Sequence, residues 1–192
     1  MKRPTQAFVF LFSVLSYCSV AAEVVNFENL TLGETRFDPV PNVVESGSFT
    51  FSDIPGSYFI VSDSVAASGK ALAWCPGCTI EITATNGDLF SLDSIWLNSV
   101  ASGSAPITIT GHAFDGRILS REVDAVQNNG GVFTLGGGWT GLERVELTGT
   151  SSSSHFGNVM DDVRATVVPL PATIWLFLSG LSAIGLIRKR KP

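Results

Sequence analysis

The chain has 192 residues, 45% of them hydrophobic, and a formal net charge of −5 at pH 7. The termini conceal its acidity: residues 1–22 and 167–192 hold six of the twelve basic residues and no acid, so residues 23–166 carry the other six with all seventeen acids, a net charge of −11. Such a field repels nucleic acid and anionic lipid, which excludes both as partners, and the 144 residues of that portion suffice for one domain with its own core.

Lys2 and Arg3 precede an apolar stretch, Ala7 to Leu15, followed by Ser-Tyr-Cys-Ser-Val-Ala-Ala. This is the pattern of a secretory signal peptide over residues 1–22. Cleavage is expected after Ala22, with Val20 at the −3 position; after Ala21 is the alternative. Cys18 is poorly suited to lipid attachment, since bulky Tyr17 precedes it, and it leaves with the signal peptide. The partners implied are the general secretion machinery and signal peptidase.

The exported portion shows no strong helical period. Short apolar or alternating runs are broken by Gly, Asn, Asp, Ser and Pro. The expected strands are Val24–Leu30, Ser48–Phe51, Tyr58–Ser62, Thr79–Thr85, Leu92–Asn98, Ile107–Phe114, Ile118–Val126, Val132–Leu135, Leu142–Thr148 and Val159–Val167. Asn86-Gly87 and Asp115-Gly116 are hairpin turns, because these residue types tolerate positive φ. Short strands with regular turns predict an all-β fold, an antiparallel β-sandwich or jelly roll.

Four constellations along this portion carry possible chemistry. Glu28 lies in the first strand, and Asp161 and Asp162 in the last. Terminal strands are neighbours in many jelly rolls, and hard oxygen donors there suit a structural Ca2+. The competing reading is an exposed acidic strand face. Alternation puts Val159, Asp161, Val163 and Ala165 on one face, with Asp162 and Arg164 opposite, so that Asp161 points inward and needs a partner or a metal.

Cys75-Pro76-Gly77-Cys78 holds the two cysteines that remain after signal removal. An oxidising envelope favours a disulfide. A redox motif of this spacing opens a helix, whereas Thr79-Ile80-Glu81-Ile82-Thr83 alternates like a strand, which favours a structural clamp across a turn. A zinc site needs two more ligands, and His112 and His155 are the available histidines.

Gly136-Gly137-Gly138-Trp139-Thr140-Gly141 satisfies G-x-G-x-x-G formally, but a strand pattern follows where a nucleotide loop needs a helix. Trp74 and Trp139, in or near loops, are candidates for stacking on sugar faces, whose C–H groups pack on a π surface. Core packing is the competing reading, and the stronger one for Trp96 in its dense apolar strand. No nucleophile elbow, metalloprotease motif or nucleotide loop is present, so an enzyme is not expected.

Val167 to Ile187 is 21 residues without a charge. Pro171 is acceptable as a first helical residue, and a helix from about Pro171 to Ile187 reaches the short end of the membrane-spanning range. Arg188, Lys189, Arg190 and Lys191 follow and stay cytoplasmic. Val168, Pro169, Leu170, Pro171 and Ala172, the apolar helix and the basic end together resemble the PEP-CTERM class of bacterial sorting signals in its VPLPA variant. The resemblance covers about the last 25 residues. It implies recognition by an exosortase-type membrane protease in a Gram-negative bacterium that makes exopolysaccharide or biofilm matrix. The alternative for the tail is an unprocessed single-span anchor.

The central portion also resembles the β-sandwich domains found upstream of such tails, through Phe27-Glu28, Gly87–Leu97, Ile107–Arg117, Gly138–Thr150 and Met160–Val163. It resembles carbohydrate-binding jelly rolls as well. Together these readings describe an exported protein, passing through the inner membrane to the cell surface or extracellular matrix. A structural or adhesive role linked to polysaccharide is expected. The alternative is a carbohydrate-binding module, with calcium-dependent capture as one form, and a hydrolase ranks below both.

Overall fold

Thr79-Ile80-Glu81-Ile82-Thr83-Ala84 alternates polar and apolar side chains, and in the computed structural model it is a strand whose Ile80, Ile82 and Ala84 are buried. The same alternation builds most of the chain. The structure describes residues 22–30, 37–39, 43–54, 58–62, 66–75, 77–99, 104–126, 130–149 and 158–168. Residues 1–21 of the expected signal peptide, His155, and everything after Val168 lie outside the described residues, including Pro169, Leu170, Pro171, Ala172 and the basic residues Arg188, Lys189, Arg190 and Lys191.

The strands are β1 Glu23–Val25, β2 Phe37–Pro39, β3 Val43–Ser46, β4 Phe49–Ile54, β5 Tyr58–Ser62, β6 Lys70–Trp74, β7 Thr79–Ala84, β8 Leu89–Ser99, β9 Ser104–Ala113, β10 Ile118–Val126, β11 Gly131–Thr134, β12 Leu142–Gly149 and β13 Asn158–Val168. Every pairing is antiparallel. One layer runs β3-β4-β7-β12-β9-β10. The other runs β2-β5-β6-β13-β8-β11, with β1 lying along the same edge of β13 as β6. Among the described residues a single bridge, Leu142 to Phe90, links the layers into one hydrogen-bonded network. The expected β-sandwich is therefore the architecture observed.

Between the layers lie Phe49, Phe51, Ile80, Ile82, Ile107, Ile109, Val145 and Leu147 from the first sheet, against Leu72, Trp74, Phe90, Leu92, Ile95, Leu97 and Met160 from the second. Phe49 meets Phe90 edge to face across the sandwich, with centroids 5.4 Å apart. Burying each such side chain contributes about 1.5–3 kcal/mol. In the hairpin turns only the glycine of each pair takes positive φ, 77° at Gly87 and 83° at Gly116.

Two differences from the sequence reading matter for the site. The first expected strand, Val24–Leu30, ends at Val25, because Leu30 N–H closes a turn onto the Phe27 carbonyl at 3.1 Å. The last strand does not keep one face. The pairing of β13 with β8 slips between Asp161 and Arg164 and again between Arg164 and Ala165, and Asp162 sits at φ 42°. Val159 therefore joins Ala71, Ala73 and Trp96 on the outer side of the second sheet, while Val163 and Ala165 enter the core between the sheets. Asp161, directly opposite Trp96, is buried on that outer side rather than among Val163 and Ala165.

Cys75 and Cys78 form the disulfide, with Cα atoms 5.4 Å apart. Gly77 N–H donates to the Gly149 carbonyl at 2.8 Å and Gly149 N–H to the Cys78 carbonyl at 3.3 Å, which ties the loop to β12. The clamp is structural. Unreduced domain is expected to show no labelling of Cys75 or Cys78 by a thiol reagent, and the Cys75→Ala/Cys78→Ala variant is expected to lose about 2 kcal/mol of stability by loop closure. Stoichiometric labelling before reduction contradicts this.

Beside that loop, Trp74 stands opposite Asn158 on β13, both fully buried. The Trp74 Nε1 and both amide atoms of Asn158 meet no hydrogen-bond partner among the described residues. An unpaired buried amide is costly, and an apolar side chain of similar volume removes that cost. Asn158→Leu is expected to raise stability by about 1 kcal/mol, read as a higher urea midpoint; a midpoint that falls shows that the amide is paired in solution.

Candidate functional site

Alternation places one set of side chains from the first sheet on its solvent side. Glu81 on β7 stands directly opposite Glu146 on β12, and Glu146 stands opposite Thr110 on β9. One residue pair along, Arg144 stands opposite His112, and His112 opposite Ile118 on β10. Thr79, Thr148 and Thr108 form a third row, with the Thr79 and Thr148 hydroxyls 2.8 Å apart. Thr50 faces Thr83 toward β4. The centre of this face is thus a charged cluster inside a band of hydroxyls.

Arg144 cross-braces the cluster. Its Nε lies 3.1 Å from Glu146 Oε1 and 3.5 Å from Glu81 Oε2. Its Nη2 is 3.3 Å from His112 Nδ1. A guanidinium can only donate, so Nδ1 is the acceptor of that contact. The ring's Nε2, 3.3 Å from Glu146 Oε1, is buried and makes no hydrogen bond among the described residues. The four side chains are 21% to 39% exposed, enough to meet a ligand and too little to swing freely.

At one edge of this face, Phe114 and Ile118 are 71% and 69% exposed. They flank the tip of the β9–β10 hairpin. The remaining strongly exposed large hydrophobics among the described residues are Val24, Val43, Val132 and Val168.

The carboxylates read from sequence do different work. Asp161 Oδ2 accepts from Ala67 N–H at 3.1 Å, Ser68 N–H at 2.9 Å and the Ser68 hydroxyl at 3.3 Å, and Oδ1 accepts from Asp162 N–H at 2.8 Å. Glu28 Oε1 accepts from Lys70 N–H at 2.7 Å. The Lys70 ammonium donates to the carbonyls of Glu28, at 2.8 Å, and of Leu30. Asp161 and Glu28 thus grip the two ends of one segment, 67–70, from the last strand and the first turn. No group of three or more His, Cys, Asp or Glu side chains among the described residues is placed to hold a metal ion. The Asp161 carboxylate and Glu28 Oε1 are taken up by N–H and O–H groups of the chain and act as internal acceptors.

Trp74 and Trp139 require correction as stacking residues. They are 1% and 6% exposed and belong to the core. Trp74 ends β6 on its inward side. Trp139 folds over Gly111, where an added Cβ would stand 2.9 Å from the ring. Sequence position near a loop gave no measure of exposure. The sequence reading weighed His112 only as a zinc ligand and passed over Glu81, Arg144 and Glu146. The available signal was their shared parity on β7 and β12; that these strands are neighbours is a matter of topology.

No family model matches this chain. No curated protein matches it either. Among solved structures it is similar to TmCBM61 in complex with β-1,4-galactotriose, at 13% identity and TM-score 0.43, over 62% of this chain and 88% of that one. It is similar to the CBM22-1 xylan-binding domain of Paenibacillus barcinonensis Xyn10C, at 9% identity and TM-score 0.44, over 79% and 99%. An exo-β-agarase shows 12% identity and TM-score 0.49 over 78% of this chain and 25% of that one. These are likenesses of strand arrangement, and none decides what this chain binds.

Proposed function

We propose that this chain is an exported, non-catalytic glycan-binding protein of a bacterial cell surface or matrix. The observation that carries this reading is the solvent face of the first sheet, where Glu81, Arg144, Glu146 and His112 are cross-braced within a band of threonine hydroxyls. Polyols are recognised by fixed donors and acceptors of this kind, and charged acceptors make the stronger hydrogen bonds. A structural or adhesive role in exopolysaccharide or biofilm follows from holding glycan at the surface.

Delivery rests on the sequence. The signal peptide directs export, and the Val168–Ala172 motif with its helix and basic end hands the chain to an exosortase-type enzyme. β13 stays paired through Val168, opposite Leu89, so processing after Pro169 leaves the last strand whole. Terminal mass spectrometry of surface material tests this: an intact Pro192 in the inner membrane means the tail is an anchor.

Affinity electrophoresis of the exported protein through gels containing galactan, xylan, mannan, agarose or the host's own exopolysaccharide tests the binding. Retardation in at least one gel is expected, weakened at least tenfold in Glu81→Ala/Glu146→Ala. Free migration in every gel rejects the reading.

A further inference from the structure

We infer that the tip of the β9–β10 hairpin, Phe114 with Ile118, is the apolar platform on which a pyranose ring of the bound glycan stacks. The inference rests on the polar-face reading above and places one sugar subsite on it.

Three observations lead there. The first is direction. Ala113 is buried and pairs with Leu142, and Phe114 N–H extends that ladder to the Gly141 carbonyl at 2.9 Å. Alternation then turns Phe114 to the side of His112, two residues earlier, and Ile118 stands opposite His112 on that same side. The apolar pair therefore borders the charged cluster directly.

The second is exposure. A lone exposed hydrophobic is ordinary. Here two large ones, 71% and 69% exposed, sit four residues apart on one hairpin, beside hydrogen-bonding groups. A pyranoside has the complementary anatomy, with a C–H face and a rim of hydroxyls. Its ring laid on Phe114 brings hydroxyls toward His112, Thr110 and Glu146.

The third is rigidity. Ala113 N–H donates to the Arg117 carbonyl at 3.0 Å and Gly116 N–H to the Ala113 carbonyl at 2.9 Å. Asp115 takes Arg117 N–H at 3.1 Å and Arg117 Nε at 2.6 Å, and Gly116 holds the φ of 83° that the turn needs. A turn backbone already fixed spares the cost of ordering the loop on binding.

The test uses the exported protein and whichever polysaccharide retards it. Phe114→Ala is expected to weaken binding at least tenfold with an unchanged urea midpoint, and Phe114→Trp to retain it. Saturation transfer from Phe114 ring protons should reach the sugar ring C–H protons. Val132→Ala, an equally exposed apolar residue on β11, should bind as the parent does. If Phe114→Ala binds within twofold while Glu81→Ala/Glu146→Ala is weakened, the platform is wrong and the polar face stands. If no polysaccharide retards the parent, the glycan reading itself fails and takes the platform with it. If Phe114→Ala loses only binding to neutral lipid vesicles, the tip is a membrane-contacting element and the inference is overturned.

Discussion

Asp161→Ala is expected to lower the stability of the domain by about 2–4 kcal/mol. The Asp161 carboxylate is fully buried and accepts four hydrogen bonds, three of them from Ala67 and Ser68. Those bonds fasten the segment that leads into β6, which Glu28 holds at its other end through Lys70. Truncation removes one of the two grips and leaves a void beside Ala71 and Trp96. Asp161→Asn keeps one oxygen and is expected to lose about half as much. Urea unfolding of the three proteins measures this, and an alanine variant with the parent's midpoint refutes the role.

The same residue makes a signed prediction about pH. Burial raises the Asp161 pKa above its ordinary 3.8, against the opposing pull of the hydrogen bonds from Ser68 and Asp162. The folded protein therefore keeps this proton to a higher pH than the unfolded chain does. Its contribution is fully present below 3.8 and is lost as pH rises through the folded value. Asp115 acts in the opposite sense, because hydrogen bonds from Arg117 lower its pKa. The whole-protein curve mixes both, so the quantity to read is the stability difference between parent and Asp161→Asn. That difference should shift against the parent as pH rises above 3.8 and then level off; a difference independent of pH, or one of opposite slope, contradicts the assignment.

Where one face of a strand is buried and the other wet, the sequence carries the answer. Ile118–Val126, with Val123 and Ala125 buried, is read with the bounds the structure has. Lys70–Trp74 escapes notice because it does not alternate: Leu72 and Trp74 enter the core while Ala71 and Ala73 are covered on the outer side. Phe37–Pro39 and Val43–Ser46 are too short, at 3 and 4 residues, to show a period. Asp161 is correctly read as buried and on the side of Val159, but Val163 and Ala165 are wrongly placed beside it, because a bulge inverts every side chain beyond it. The candidate site was the least legible part. Its four side chains come from β7, β9 and β12, and no local pattern says that these strands lie side by side.

That adjacency sets the sign of the site's selectivity. A polysaccharide rich in uronic acids is expected to bind at least tenfold more weakly than a neutral one of matching linkage. Like charges directly opposite each other on neighbouring strands repel, and Glu81 and Glu146 are so placed. Arg144 neutralises one of them, so the two carboxylates and the guanidinium together keep a net charge of about −1. The net charge of −11 over residues 23–166 adds to the field. At an effective dielectric of about 20, an added carboxylate roughly 4 Å away meets about 4 kcal/mol of repulsion before screening. That range lies inside the Debye length, about 8 Å in physiological salt, so screening is partial and the discrimination should shrink as salt is added. Glu146→Gln removes the surplus charge while keeping an acceptor, and it should bring the two polymers to within a few-fold of each other. Affinity electrophoresis at low and high ionic strength reads both effects. A uronate polymer that binds as tightly as the neutral one at low salt would show that the ligand does not lie over Glu81 and Glu146.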